Sequence, residues 1–414
     1  MKDKILKAID DHRQDIIDIG EYILSNPELG YKEYKTADKI CQVLDSLGLK
    51  YRRDIAITGV KCTIGNPDAR YNICVIGELD AVKCYHNPHA DKQTGASHAC
   101  GHNVQIANMI GVLYGLLESG MLEEIGGKVT FFAVPAEEFV ELEYRQSLVD
   151  QGLISKFGGK QELIARGEFD DIDMAIMVHS MTGEDGLAVS VGGSSLGFDT
   201  KQITFRGKSA HGSTPFDGVN ALNSAMLALM GVALNRETFR DEDHIRIHPI
   251  ITNGGDLVNV VPATATIETY VRGANTQAIQ RAGEVVDRCM RGSAMQIGAE
   301  VEILHTEGYK PMSQNALMSE IFASNATLLR PDIKVYRGVD MIGSTDMGDL
   351  TEIMPAIQPC MSGYVGALHG EDFAIADEES AYILPAKVIA LTVYDLIKDN
   401  YALADKCITE FKNK

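Results

Sequence analysis

Basic charge is scarce in this sequence: 38 Lys and Arg stand against 58 Asp and Glu, a formal net charge of −20. Nucleic acid and anionic membrane surfaces both demand a basic face, so neither is an expected partner. The deficit says little about a small substrate, which feels local charges. Eight cysteines, at positions 41, 62, 74, 84, 100, 289, 360 and 407, form no C-x-x-C pair and no dense framework. Reduced cysteines, most of them in the core of a cytosolic protein, are therefore expected. No apolar run reads as long enough to span a bilayer, and Met1-Lys2-Asp3-Lys4 opens an amphipathic helix in place of an apolar signal core. Internal repeats, low-complexity stretches and flexible linkers are missing too. The expectation is a soluble cytoplasmic protein, and 414 residues with 45% hydrophobic content allow two or more domains.

What is present has an α/β rhythm. Ile5, Leu6, Ile9, Ile16, Ile17, Ile23 and Leu24 keep a helical period that Asn26-Pro27 ends, and a second helix is expected over Tyr34 to Leu47, with Gly48 as its stop. Strand Asn72 to Ile76, helix Val104 to Leu117, strand Lys128 to Val134 and strand Met174 to Val178 then alternate, which implies a largely parallel sheet with helices on its faces. From Val189 to Leu304 the order becomes β-α-β-β-α-β: strand 201–206, helix 219–234, strand 245–251, strand 265–271, helix 276–295 and strand 300–304. That order is ferredoxin-like. Strand 333–336 and helix 381–397 resume the first pattern, so the reading is a catalytic domain over 1–188 and 305–414 with an insertion at 189–304.

Chemistry-bearing residues collect where that architecture puts function. The first strand runs into Gly77-Glu78-Leu79-Asp80, the second into Pro135-Ala136-Glu137-Glu138, the third into His179-Ser180, and ligands of open α/β sheets bind beyond such strand ends. His98-Ala99-Cys100-Gly101-His102-Asn103 brings two metal-ligand types within two residues, and His369 stands in a Gly-rich segment. Singly, a His or Cys at a strand end is most often a packed or solvated residue, and Glu137-Glu138 alone could be an acidic helix start. Together they read as a zinc-type hydrolytic site assembled from several strand ends. Cys84, His86 and His89, with His98, crowd the same stretch but match no structural zinc spacing, and read as loop residues near the cleft. His12, His244, His248 and His305 belong to no constellation.

At these residues the chain resembles the dinuclear zinc amidohydrolases and exopeptidases of the aminoacylase and carboxypeptidase type, over essentially its whole length. It looks most like the p-aminobenzoyl-glutamate hydrolase and Xaa-Arg (β-alanyl-lysine) dipeptidase subgroup. The motifs that carry this are Gly77-Glu78-Leu79-Asp80-Ala81, His98 to Asn103, Ser344-Thr345-Asp346-Met347-Gly348-Asp349 and Leu368-His369-Gly370-Glu371-Asp372-Phe373. The resemblance implies that Cys100, His102, Glu138, His179 and His369 hold two divalent metals, with Cys100 shared. Thiolate and imidazole suit zinc, and manganese or cobalt are acceptable occupants. Glu137, beside a ligand, would take the proton of the attacking water and pass it to the leaving nitrogen, while Asp80 would orient a ligand imidazole.

In the inserted lid the resemblance implies a homodimer in which His211, from Gly207-Lys208-Ser209-Ala210-His211-Gly212, reaches the partner's active site and stabilises an oxyanion. Asn259 and Arg272 match positions used for substrate, and Arg272 could pair a substrate carboxylate or simply make a lid salt bridge. Gly343-Ser344-Thr345 and the glycines Gly363 and Gly366 could supply backbone amides near the substrate or be plain turns. Two residues depart from the wider pattern. Glu78 stands where many exopeptidase relatives place a His ligand, and Asn103 where the wider group has Asp, which weakens transfer of substrate preferences. The expected activity is hydrolysis of the amide bond of a small N-acyl amino acid or p-aminobenzoyl-glutamate-like substrate, with or without a second subunit. A dipeptidase for basic C-terminal residues is the nearest alternative. A non-catalytic metal-stabilised scaffold and a dinuclear phosphoesterase come from other classes.

Overall fold

The structure is a computed structural model that describes residues 1–183 and 186–413. The chain divides into two compact units: Met1–Gly193, Ser313–Asp340 and Asp349–Lys414 form the first, and Ser194–Met312 with Met341–Gly348 the second. The expected insertion at 189–304 thus starts ahead of the inserted unit and stops short of its end, and that unit also takes 341–348. The strand Ala188–Val191 pairs within the first unit with Lys334–Arg337, whereas the last lid strand continues past residue 304 to Glu307.

In the first unit a six-stranded sheet runs in the order Tyr51–Ile55, Gly59–Gly65, Lys128–Val134, Asn72–Glu78, Met174–Ile176, Ala356–Ile357. The last four are parallel, and the first two form an antiparallel hairpin at one edge. Every residue of Asn72–Glu78 is buried, as expected of a parallel strand covered on both faces, which selects the continuous run Ile73-Cys74-Val75-Ile76. The helix His102–Glu118 is buried from His102 through Leu116, so its apolar residues surround it instead of forming a stripe. Gly111 makes this possible: a Cβ there would lie 2.9 Å from the Ala386 Cβ and 3.1 Å from Ile16.

Three elements differ from their expected form. The N-terminal helix is two, Lys2–Asp11 and Arg13–Leu24, broken at His12, whose ring stacks on Tyr114 at 4.1 Å between centroids and contacts Asp15 and Glu118. His179 belongs to a second sheet, Lys334–Arg337, Ala188–Val191, Cys360–Met361, His179–Ser180, and does not close the strand Met174–Ile176. One stretch, Glu379–Lys412, is after all long and apolar enough to cross a membrane by composition, but 89% of its apolar window is buried inside the protein. It is a core helix, covering Ile5, Ile9 and the helix His102–Glu118.

The second unit keeps the β-α-β-β-α-β order. Gly197–Arg206 pairs along ten residues with Thr264–Gly273 and, on its other side, with Glu300–Glu307. Thr264–Gly273 alternates partly buried and buried positions without a break, the period-two signature of a sheet with one covered face. The helices Ala221–Asn235 and Thr276–Ile297 begin at Asn220 and Asn275, whose side chains accept the backbone N–H three residues on. The expected strand 245–251 is interrupted at His248-Pro249 into Arg246–Ile247 and Ile250–Asn253, because proline has no N–H to give a ladder.

Candidate metal centre

The parallel neighbours Asn72–Glu78 and Lys128–Val134 end together, Glu78 opposite Val134, so the carboxylates that follow each strand emerge at one edge of the sheet. Cys100 arrives there through a turn in which Gly101 takes φ +82°, and a Cβ on Gly101 would lie 3.0 Å from the Ser180 Cβ. Only glycine meets both demands, and the turn delivers Cys100 and His102 on either side of it. His369 also takes a left-handed φ of +61°, its N–H donating to the Ala99 carbonyl at 2.8 Å.

Cys100 lies at the middle of the cluster. Its Sγ is 3.4 Å from His179 Nε2 and 3.3 Å from His369 Nε2, and His369 Nε2 is 3.1 Å from Glu138 Oε1. Two ligand triplets result, Cys100 with His102 and His179, and Cys100 with Glu138 and His369, each with donor atoms within 4.8 Å. A third triplet joins Glu78, His102 and Glu137. The rings are set for ligation: His102 Nδ1 lies 2.8 Å from the Asp80 carbonyl and His179 Nδ1 3.0 Å from the Ser180 carbonyl. A carbonyl can only accept, so each Nδ1 donates to it and each Nε2 is turned inward, where it can give up its proton and offer its lone pair to a metal.

These residues fit divalent metal. Among the described residues, the buried atoms His102 Nε2 and Glu138 Oε1 have no hydrogen-bond partner, and buried polar atoms left so are costly unless a cation compensates them. Burial pushes the Cys100 thiol up, but His179, His102 and His369 outweigh it and hold it well below the usual thiol range. Sulfur, imidazole and carboxylate in this ratio are a zinc-type donor set.

Around the donors sits a layer that aims them. Asp80, fully buried, accepts the Glu138 N–H on Oδ2 at 2.9 Å. It orients His102 chiefly through its backbone carbonyl, since its Oδ1 stands farther off at 3.4 Å. The segment before Glu137 turns at Ala136, φ +56°. Ala136 N–H donates to Glu33 Oε1 at 2.8 Å, and Arg145, almost fully buried, donates to the carbonyls of Ala136, Glu138 and Phe157. Burial first, and the charge of Asp80 second, push the Glu33 carboxyl up to about 7. Glu78 Oε1 accepts from buried Lys160 at 2.5 Å and Oε2 from Gln105 at 2.9 Å. Sequence reasoning missed Glu33, Gln105, Arg145 and Lys160. Gln105 alone carried a signal, one helical turn after His102.

Other candidates stand apart. Asn103 turns inward, its amide donating to the Gly20 carbonyl at 3.2 Å and the Tyr382 hydroxyl at 3.3 Å, so this departure from the wider pattern ties helices together. Cys84, His86 and His89 join none of the ligand triplets found among the described residues. His98 is buried with both ring nitrogens unpartnered there, and burial together with His102 pulls it down to about 3. His211, Asn259 and Arg272 all lie in the second unit. The His211 loop is laced to the Asn259 loop by Gly212 N–H to the Asn259 carbonyl at 2.7 Å and Val261 N–H to the Ala210 carbonyl at 2.9 Å. Arg272 donates to Ser344 Oγ at 2.9 Å and lies over Phe198 and Tyr270. Among the described residues no carboxylate pairs with it, and burial pulls its guanidinium below the ordinary value.

Residues 195–292 match the peptidase dimerisation domain of the M20 family, and the whole chain is 27% identical to the Xaa-Arg dipeptidase of Mus musculus, covering 93% of that protein. The chain thus resembles peptidases and amidohydrolases that carry this domain. Solved structures share the fold. A dinuclear metal-binding peptidase of this family from Bacillus subtilis superposes with a TM-score of 0.70 at 20% identity, covering 94% of this chain and 99% of that one. An aminobenzoyl-glutamate utilization protein from Klebsiella pneumoniae superposes with a TM-score of 0.71 at 17% identity, over 95% and 98%. The matched dimerisation domain falls within the second unit, and the whole donor cluster lies in the first.

Proposed function

We propose that the protein is a dinuclear metal-dependent amidohydrolase that cleaves the amide bond of a small carboxylate-bearing substrate. The observation that carries this is the shared position of Cys100 between two ligand triplets, with Glu137 in the adjoining one. Cys100, His102 and His179 would hold one metal and Cys100, Glu138 and His369 the other. When bound, such a pair lowers the pKa of water from about 15.7 towards 7 and polarises a carbonyl.

The chain's own groups do the rest. Glu137 takes the proton from the attacking water and returns it to the leaving nitrogen, which could not depart as an anion. Asp80 and Arg145 keep that carboxylate's loop in place. The tautomer of His211 suits an oxyanion: the Ser213 N–H donates to its Nδ1 at 3.1 Å, leaving the proton on Nε2. In the dimer we infer that the partner subunit's His211 serves each site. Met226, Met230 and Leu234 form an exposed stripe on Ala221–Asn235, and the edge strand Ile250–Asn253 is exposed throughout. These are features suited to a self-complementary interface. Arg272, a half-buried cation without a carboxylate partner among the described residues, is suited to the substrate carboxylate.

The test is hydrolysis by zinc- or manganese-loaded protein of p-aminobenzoyl-glutamate, N-acyl amino acids and dipeptides, read by mass, with Glu137→Ala and Cys100→Ala alongside. Turnover should fall by at least about 100-fold in Glu137→Ala with both metals retained, and Cys100→Ala should lose metal. Full turnover in metal-loaded Glu137→Ala would remove the base from the scheme. Cleavage of dipeptides ending in Arg or Lys in preference to the other substrates would select the dipeptidase reading, which the full-length similarity to the Xaa-Arg dipeptidase favours.

A further inference from the structure

The short paired strands Val82–Lys83 and Ala96–Ser97 are joined by a mostly exposed loop. Among the described residues from Lys83 to Thr94, Asn87 alone is buried, with 6% of its surface exposed. An amide is placed so only where its polar atoms are paired. Its Oδ1 accepts the His89 N–H at 3.0 Å, which settles the orientation of the side chain, because an NH2 group there would meet another donor. Nδ2 therefore faces the carbonyls of Gly370, Glu371 and Phe373, at 3.5, 3.5 and 3.1 Å. Three carbonyl oxygens converge on one amide.

Those carbonyls belong to the segment that follows His369. The segment is folded on itself: the Ala367 N–H donates to Asp372 Oδ1 at 3.1 Å and the Gly370 N–H to the Ala367 carbonyl at 2.8 Å. A turn closed in this way still has to be fastened to the rest of the unit. At one end the His369 N–H donates to the Ala99 carbonyl, at the other Phe373 stacks on Tyr364 with ring centroids 5.6 Å apart, and the Asn87 amide ties the residues between. The His369 side chain is 48% exposed, against 10% for Glu138. Packing does little to hold such a ring, so its backbone decides where Nε2 points. The chain that carries Asn87 runs on through Ser97 to Cys100, whose Sγ lies 3.3 Å from His369 Nε2.

We infer that Asn87 is a positioning residue for the metal held by Cys100, Glu138 and His369. Its amide fastens the His369 segment to the loop that leads into Cys100, and so sets one ligand against the other. This rests on the dinuclear reading above. It gives the loop between Lys83 and Ala96 a task that none of its cysteine and histidine side chains performs.

Stepwise removal of metal by graded chelator, with metal content counted by native mass spectrometry, tests this without turnover. His369→Ala first identifies which of the two ions the segment serves. Asn87→Asp keeps the acceptor for the His89 N–H but sets an oxygen against three carbonyls. It should weaken that same ion by about 10- to 100-fold, the cost of losing a residue that supports a ligand, and hold the other as the parent does. Asn87→Ala removes the donor without adding repulsion; measured alongside, it should weaken the same ion to a smaller degree. Parental affinity for both ions in the two folded variants would overturn the assignment by making the amide dispensable. Equal weakening of both ions would overturn it as well, by making Asn87 a general support of the fold. Cys100→Ala reports on the dinuclear reading separately: if it kept both ions, that reading would fail whatever Asn87 does.

Discussion

Glu33 and Asp80 are two buried carboxyls in each other's field, and the proton goes to the one with fewer compensating donors. Asp80 is held low against burial by His102, the Glu138 N–H and Arg145, while Glu33 is pushed up to about 7. The sign follows. An unfolded glutamate titrates near 4.5, so the stability tied to neutral Glu33 is fully present below that pH and is lost as pH rises through about 7. Glu33→Gln removes the titration while its side-chain oxygen still accepts the Ala136 N–H. The urea midpoint of the parent should fall from pH 5 to pH 8 relative to that variant, and a constant difference across the range would show that Glu33 stays charged in the fold. Residues of this kind were invisible in the sequence. Cys100, His102 and His369 stand out by type, but Lys160 meets Glu78 across 82 positions and contradicts the rule that lysines stay outside. Glu78 itself was read only as a missing histidine.

Elements were legible where burial is uniform and obscure where one residue breaks a pattern. Lys128–Val134 announces itself as an unbroken apolar run, and the helix after Gly101 as an apolar stretch too long for a strand. The breaks at His12 and between Met174–Ile176 and His179–Ser180 leave the hydrophobic period intact, because the chain bends to follow contacts made far away, such as the stacking of His12 on Tyr114. The turn at Gly101 is the element on which the site depends. An alanine there would take a left-handed conformation at about 1–2 kcal/mol and press on Ser180, whose hydroxyl donates to the Cys100 carbonyl at 2.8 Å. Gly101→Ala should lower the unfolding free energy by that amount and weaken zinc binding in a chelator competition, since Cys100 and His102 flank the turn. Parental affinity in a folded variant would show that the ligands tolerate a shifted turn.

At the scale of the whole molecule the issue is which chain completes which site. The donor cluster and Glu137 belong to the first unit and His211 to the second, and the matched dimerisation domain supplies a reason for two copies to meet. If the oxyanion donor comes from the partner, two inactive variants should rescue each other. In a mixture of Glu137→Ala and His211→Ala subunits, a hybrid dimer contains one site with an intact Glu137 served by the partner's His211, and a second site lacking both. Random exchange makes half the dimers hybrids, so activity should recover to roughly a quarter of the parental value. If His211 acted within its own chain, every site in every dimer would lack one of the two groups, and the mixture would stay as inactive as its components. Met230→Glu adds a control, because a charge on the exposed stripe of Ala221–Asn235 should yield monomers by sedimentation and abolish the rescue. Rescue that persisted in monomeric protein would remove the partner from the mechanism.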